Sequence, residues 1–126
     1  MIVLDTAALL YWTLDPGQLS AVGVEAIESA DHIVISSISV WEIDLKVKRG
    51  KLDIPIPIAE YAKRLQLIEN LEILPVDVQT WLDNLELDWE HRDPADRTIV
   101  ATASRLSCPL ISSDKLVADF YEQTIW

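Results

Sequence analysis

Four carboxylates, Asp5, Glu42, Asp96 and Asp114, are the side chains of this sequence whose types and positions could do chemistry. Asp5 directly follows the apolar run Ile2-Val3-Leu4, and Asp114 stands two serines beyond Leu110-Ile111. Glu42 falls in the first turn of the segment after Ile33-Val34-Ile35, and Asp96 in the first turn of a segment opened by Asp93-Pro94. If the apolar runs are strands of one open α/β sheet, these acids lie at or near the crevice beyond the strands' carboxyl ends, where such sheets bind ligands. Oxygen ligands suit hard cations such as Mg²⁺ or Mn²⁺, and no histidine cluster or cysteine pair competes for zinc. Ions held in this way can activate a water, neutralise a phosphate and stabilise a leaving oxygen. The spacing therefore points to divalent-metal chemistry on a phosphate ester, without choosing which ester.

Each acid also has an ordinary structural explanation. Asp5 and Asp114 could be helix caps accepting backbone N–H bonds. Glu42 follows Ser39 by three residues, the capping-box spacing, and precedes Lys46 by four, the favourable order for a helical ion pair. Asp96 could complement the positive end of a helix dipole. What separates Asp96 from a simple cap is its company: Ile99, Val100, Ala103 and Leu106 follow it at helical spacing, so it lies on or beside an apolar stripe. An inward-facing carboxylate costs several kcal/mol, roughly, unless a cation or donor meets it. Arg97 is badly placed to do so, because consecutive helical residues point about 100° apart. A shared metal ion would resolve the conflict.

The elements that must position these groups follow from periodicity and punctuation. Short apolar runs at Ile2–Leu4, Ile33–Ile35, Leu71–Leu74 and Leu110-Ile111, with a further one at Thr124-Ile125, read as strands. The first two lack alternation and fit strands covered on both faces. Between them lie helical segments: Ala7–Thr13, one capped by Ser20 and ending near Ala30, and Ser39–Arg49, stopped by Gly50. Ile58, Tyr61, Ala62, Leu65 and Ile68 mark the buried face of a fourth helix, and Val78, Trp81, Leu82 and Leu85 that of a fifth, capped by Asp77. Proline at the first helical position opens a sixth, running to about Ser107. Lys115–Tyr121 is a short seventh. Strands alternating with helices predict a three-layer α/β/α domain around a mostly parallel sheet of four or five strands.

The chain has 126 residues, the size of one domain, and half of them are apolar, ample for a core. Its lone cysteine, Cys108, can form no internal disulfide, and Asp5 interrupts the apolar start far short of a signal peptide or membrane span. These features predict a cytoplasmic protein with no membrane partner. Twenty-one acids against ten bases give a net charge of −11, which argues against a protein that merely coats nucleic acid. An enzyme that gathers carboxylates around cations escapes that objection, since the ions offset part of the charge. A basic protein partner would offset more.

Four stretches then stand together in a familiar order: Ile2-Val3-Leu4-Asp5-Thr6, Ser39-Val40-Trp41-Glu42-Ile43, His91-Arg92-Asp93-Pro94-Ala95-Asp96-Arg97 and Ser112-Ser113-Asp114. In this order the sequence resembles PIN-domain proteins, and most closely the toxin half of VapBC-type toxin–antitoxin pairs. The resemblance spans essentially the whole chain, implying a single PIN domain over residues 1–126. It implies a Mg²⁺- or Mn²⁺-dependent endoribonuclease whose acidic quartet, catalytic and metal-binding, matches Asp5, Glu42, Asp96 and Asp114. Thr6 matches a small hydroxyl residue beside the first acid, and Asp93 an extra acid of this subgroup that serves as ligand support or helix cap. The resemblance further implies an RNA substrate, a homodimer, and a cognate antitoxin whose basic tail lies across the toxin.

Lys46, Lys48, Arg49 and Lys51, close to Glu42 in sequence, could contact RNA phosphates, or could simply be a solvated helix end complementing its dipole. Five tryptophans are many for this length. Trp81 fits a core stripe and burial is the default for the others, while Trp12 and Trp41, near two of the acids, suit an interface or base stacking. His32 and His91 read as structural or surface residues. Competing functions are a structure-specific DNA nuclease of related fold, a non-catalytic binding module, and a Mg²⁺-binding phosphoacceptor domain. The last would require adjacent acids after the first strand, where this chain has Asp5-Thr6, and a late strand-end lysine that nothing here matches.

Overall fold

A computed structural model describes all residues from Met1 to Trp126. Five strands, β1 (Ile2–Leu4), β2 (Ile33–Ser36), β3 (Leu71–Leu74), β4 (Leu110–Ile111) and β5 (Thr124–Ile125), form one sheet in the order β3-β2-β1-β4-β5. Every pairing is parallel, with Val3 opposite both Val34 and Leu110. The helices are α1 (Thr6–Leu14), α2 (Ala21–Ser29), α3 (Ile38–Lys48), α4 (Ile58–Gln66), α5 (Val78–Glu86), α6 (Pro94–Leu106) and α7 (Lys115–Phe120).

Because successive strand residues point to opposite faces, each strand feeds two cores. Ile2, Leu4, Ile33, Ile35 and Ile111 pack with Leu9 of α1, Ile27 of α2, Ile43 of α3 and Tyr61 and Leu65 of α4. Val3, Val34 and Leu110 face the other way, onto Ile99, Val100 and Ala103 of α6 and Val117 of α7. The strands nearest the middle are apolar without alternation for this reason: neither face meets water. No helix is long and apolar enough to cross a membrane.

The chain runs from β1 outward through β2 to β3, then returns to the other side of β1 for β4 and β5. The order therefore reverses between β1 and β4, and a crevice opens there beyond their carboxyl ends. The Asp5 N–H donates to the Ile111 carbonyl at 3.1 Å, tying the two sides of that crevice together.

Three expectations need correction. Helix α3 begins one residue earlier than its sequence suggests, at Ile38, so Glu42 stands a turn inside it. The Ser39–Glu42 capping box does not form: Ser37 is the N-cap, and its hydroxyl accepts from the Val76 N–H at 3.1 Å instead of capping the helix. The apolar stripe of α5 is not its buried face. Trp81 is 43 % exposed and Leu85 74 %, while Thr80 and Asn84 are the buried residues.

The inversion has a polar cause. Asn84 donates from Nδ2 to Thr98 Oγ1 at 2.9 Å, and its Oδ1 accepts from Arg97 Nε at 3.2 Å. Arg97 in turn donates to the backbone carbonyls of Asn84, Leu87, Trp89 and His91. A guanidinium satisfied by five acceptors in a fixed fork outweighs the modest gain from burying one more face of a short helix. No tryptophan lies in the core: Trp41 is 52 % exposed and Trp126 36 %, with Trp12 and Trp89 partly covered.

Removing the Asn84 side chain leaves Arg97 Nε and Thr98 short of partners. Asn84→Ala is expected to cost about 1–3 kcal/mol of stability, measured by urea unfolding; a change below about 0.5 kcal/mol, the range of ordinary surface substitutions, would refute the polar account of how α5 docks.

Candidate active site

Asp5 is the N-cap of α1, its Oδ1 accepting from the Ala8 N–H at 2.8 Å. Only 8 % of it is exposed. Burial lifts its carboxyl from the ordinary 3.8 to about 6; the Ser112 hydroxyl and the Ala8 N–H oppose that rise, while the charges of Asp96 and Asp114 add to it.

Asp114 is placed by the same device on the neighbouring strand. It caps α7, accepting at Oδ1 from the Leu116 N–H at 2.8 Å, while its own N–H donates to Ser112 Oγ at 3.1 Å. Buried Ser112 thus serves both acids at the β1–β4 switch. Asp93 caps α6 through the Asp96 N–H at 2.9 Å, which fixes the turn that carries Asp96. The cap reading of Asp5, Asp93 and Asp114 is thus correct, and it coexists with convergence of the charges. Capping uses one carboxylate oxygen of each and leaves the other.

Asp96 is half-buried, and burial raises its carboxyl above the usual range, with Asp93, Asp114 and Glu42 pushing the same way. The donor that meets it is His91, whose Nε2 lies 2.7 Å from Asp96 Oδ2 and counters the rise. In the sequence His91 reads as a structural or surface residue, and its one visible signal is its place five residues ahead of Asp96. Glu42 joins the group from α3, its side chain 13 % exposed, with Lys46 Nζ 3.9 Å away. Thr6 makes no hydrogen bond to a carboxylate. Its hydroxyl pairs with that of Ser39 at 2.9 Å, a buried contact that locks α1 to α3 and so ties the mounting of Asp5 to that of Glu42.

The charges of Asp96 and Asp114 thus bear on Asp5, and those of Asp114 and Glu42 on Asp96, within one crevice, and no lysine or arginine pairs with Asp5, Asp96 or Asp114. As the side chains stand, no three of them close tightly enough to enclose an ion. The donor set nonetheless suits a hard divalent cation, being all carboxylate oxygen with a neutral hydroxyl beside it. Mutual repulsion spreads such groups apart until a positive charge draws them together.

Two of the four residues in the basic cluster have acidic partners. Lys48 is paired with Asp44 at 2.8 Å and Lys46 leans toward Glu42. Lys46 and Lys51 line a groove with Thr6, Tyr11, Asp15 and Asp53, so it carries both basic and acidic groups. Gly50, at φ +70°, takes the left-handed conformation that ends α3, and Arg49 is the helix cap. Trp12 borders a different, apolar groove with Pro55, Ile56 and Tyr61; Trp41 borders one with Val76, Trp81 and Pro94.

A parallel α/β sheet with four carboxylates gathered at its switch point defines a class of small acidic-site domains. The PIN domain model matches residues 2–123, and the chain belongs to that family. Among curated proteins it is similar to Ribonuclease VapC22 of Mycobacterium tuberculosis, 27 % identical over 115 residues, covering 90 % of this chain and 87 % of the relative. Among solved structures it resembles a toxin–antitoxin complex from Klebsiella pneumoniae, with a TM-score of 0.68 at 17 % identity, covering 100 % of this chain and 97 % of the other. It also resembles VapC20 of Mycobacterium tuberculosis, described as a toxin cleaving the sarcin–ricin loop, with a TM-score of 0.66 at 16 % identity and 96 % coverage of both chains. At these identities the two structures establish the likeness of fold.

Since the folded pKa of Asp5 lies above its unfolded value, the native state holds the proton more tightly. That contribution is complete below pH 3.8 and is lost as pH rises through about 6. Asp5→Asn keeps an oxygen for the Ala8 N–H and removes the charge. In metal-free buffer it is expected to match wild type near pH 4 and to exceed it at pH 7.5 by up to about 3 kcal/mol. Thermal melts across that range check this; a variant no more stable than wild type at pH 7.5 refutes the cost of burying the Asp5 charge beside Asp96 and Asp114.

Proposed function

We propose that this protein is a metal-dependent endoribonuclease, the toxin of a toxin–antitoxin pair, acting in the cytoplasm. The observation that carries the reading is the convergence of Asp5, Glu42, Asp96 and Asp114 on one crevice, where burial lifts the Asp5 carboxyl to about 6 and only the nearby Lys46 offers a side-chain cation. Burying carboxylates beside one another is costly to the fold, and a site that binds cations gives it a use. The ribonuclease name of the curated relative and the family membership support RNA over other phosphate esters.

Asp5 and Asp96, with Glu42 or Asp114, would hold Mg²⁺ or Mn²⁺. When bound, the ion supplies a water activated for attack and neutralises the phosphate. The chain's own residues prepare for this. Ser112 and the Ala8 N–H stabilise ionised Asp5, the Asp93 cap fixes the turn bearing Asp96, and the Thr6–Ser39 pair holds α1 against α3. Lys46 and Lys51, in the groove they line with Thr6, would meet the backbone of the bound strand.

The net charge of −11 suits a basic antitoxin tail, and the Klebsiella pneumoniae neighbour is described as a toxin–antitoxin complex. A homodimer would cover the outward stripe of α5, where Val78, Trp81, Leu82 and Leu85 are all exposed, together with Trp41 of α3.

Incubated with total bacterial RNA and Mn²⁺, the purified protein should release discrete fragments, abolished by a chelator and reduced at least about 100-fold by Asp96→Asn. Equal cleavage by that variant would remove Asp96 from the site, and cleavage of structured DNA alone would transfer the reading to a DNA nuclease. For the dimer, Leu85→Glu is expected to convert the sedimenting species to a monomer. A wild-type chain that sediments as a monomer at high micromolar concentration would remove the dimer.

A further inference from the structure

His91 lies outside every helix and strand, in the connection between α5 and α6, yet it is held from three directions. Its backbone carbonyl accepts from Arg97 at 3.1 Å. Its ring lies 4.8 Å from that of Trp89, which is itself stacked on Phe120 of α7 at 4.7 Å and 10°. Its Nε2 meets Asp96 Oδ2 at 2.7 Å, with both side chains only 22 % exposed.

Arg97 makes this connection rigid. Its guanidinium donates to four backbone carbonyls of residues 84 to 91 and to the Asn84 side-chain oxygen, all of them neutral acceptors. It stands one residue after Asp96, but these bonds commit it to the loop rather than to a phosphate. A loop without helical or strand bonds is thereby fixed to the helix that carries Asp96.

An ionised carboxylate only accepts hydrogen bonds, so His91 Nε2 carries the proton and donates it to Oδ2. A short helical aspartate has few rotamers, and one firm donor selects among them. We propose that His91 is a positioning residue of the acidic site: donating from Nε2 to Oδ2, it fixes the Asp96 carboxylate so that the other oxygen is presented to the cation shared with the remaining acids. This rests on the reading of Asp96 as a metal ligand. Hydrogen bonds to ligating carboxylates are known to matter at the level of about 10–100-fold in metal affinity.

The test uses Mn²⁺ as probe, followed by the electron paramagnetic resonance signal of the free ion titrated with the intact chain. His91→Phe keeps a ring against Trp89 and removes the donor. His91→Gln places an amide nitrogen near the position of Nε2. His91→Phe is expected to weaken Mn²⁺ binding about tenfold or more, with His91→Gln restoring it to within about threefold of wild type; RNA cleavage at fixed Mn²⁺ should follow the same order. Binding by His91→Phe within twofold of wild type overturns the proposal and leaves the metal site standing. So does a His91→Gln variant that folds but binds as weakly as His91→Phe. A wild-type chain that takes up no Mn²⁺ overturns the metal site and the role of His91 together.

Discussion

Burial of carboxylates in a crevice with little water, made costlier by the like charges beside them, is the constraint on which the rest of this structure turns. Asp5 is almost wholly buried and Asp96 half-buried, and neighbouring charges add to the cost of ionising them: Asp96 and Asp114 for Asp5, Asp114 and Glu42 for Asp96. Such a group can persist only if the surrounding frame holds it more firmly than lost solvation and repulsion drive it out. The frame consists of helix starts. Asp5, Asp93 and Asp114 cap α1, α6 and α7, so three positive helix ends face the acids, and each carboxylate is anchored through one oxygen to a backbone N–H. The same bonds that hold the charges in place partly neutralise them.

The sheet supplies the geometry that makes these helix starts meet. All five strands run parallel, so all their carboxyl ends open on one edge. The reversal of strand order between β1 and β4 parts the helices there and brings Asp5 and Asp114 to neighbouring strand ends, with buried Ser112 between them. Glu42 comes from α3 and depends on the hydroxyl pair of Thr6 and Ser39 for its relation to Asp5. The chemistry is thus assembled by four separate elements, and small shifts of any one of them would be felt by the others.

A second polar centre stabilises the approach to that crevice. Arg97 gathers the carbonyls of the α5–α6 connection, and with Asn84 and Thr98 it turns the polar side of α5 inward. The consequence is an outward apolar stripe close to Trp41, a surface that water disfavours and a partner would cover. Site and surface are therefore coupled: the arginine that steadies the loop ahead of Asp96 also decides which face of α5 is left exposed.

The sequence determined the alternation of strands and helices, the buried strands, the caps at Asp5, Asp77, Asp93 and Asp114, and the four acids after or near strand ends. These are legible because they depend on local periodicity, on proline and capping chemistry at fixed offsets, and on residue type. The tertiary structure alone decided the partners of those residues. The α5 stripe reads as a core face because period cannot say which side meets a neighbour, and long-range bonds from Arg97 settled it. Ser39 reads as a cap because its spacing to Glu42 is right, yet Thr6, 33 residues away, claimed its hydroxyl. His91 looks isolated in the chain and becomes the donor to Asp96 only when a loop is folded back by carbonyl bonds. Pattern encodes what a residue can do locally, whereas the competition among distant donors and acceptors is resolved only once the chain has packed.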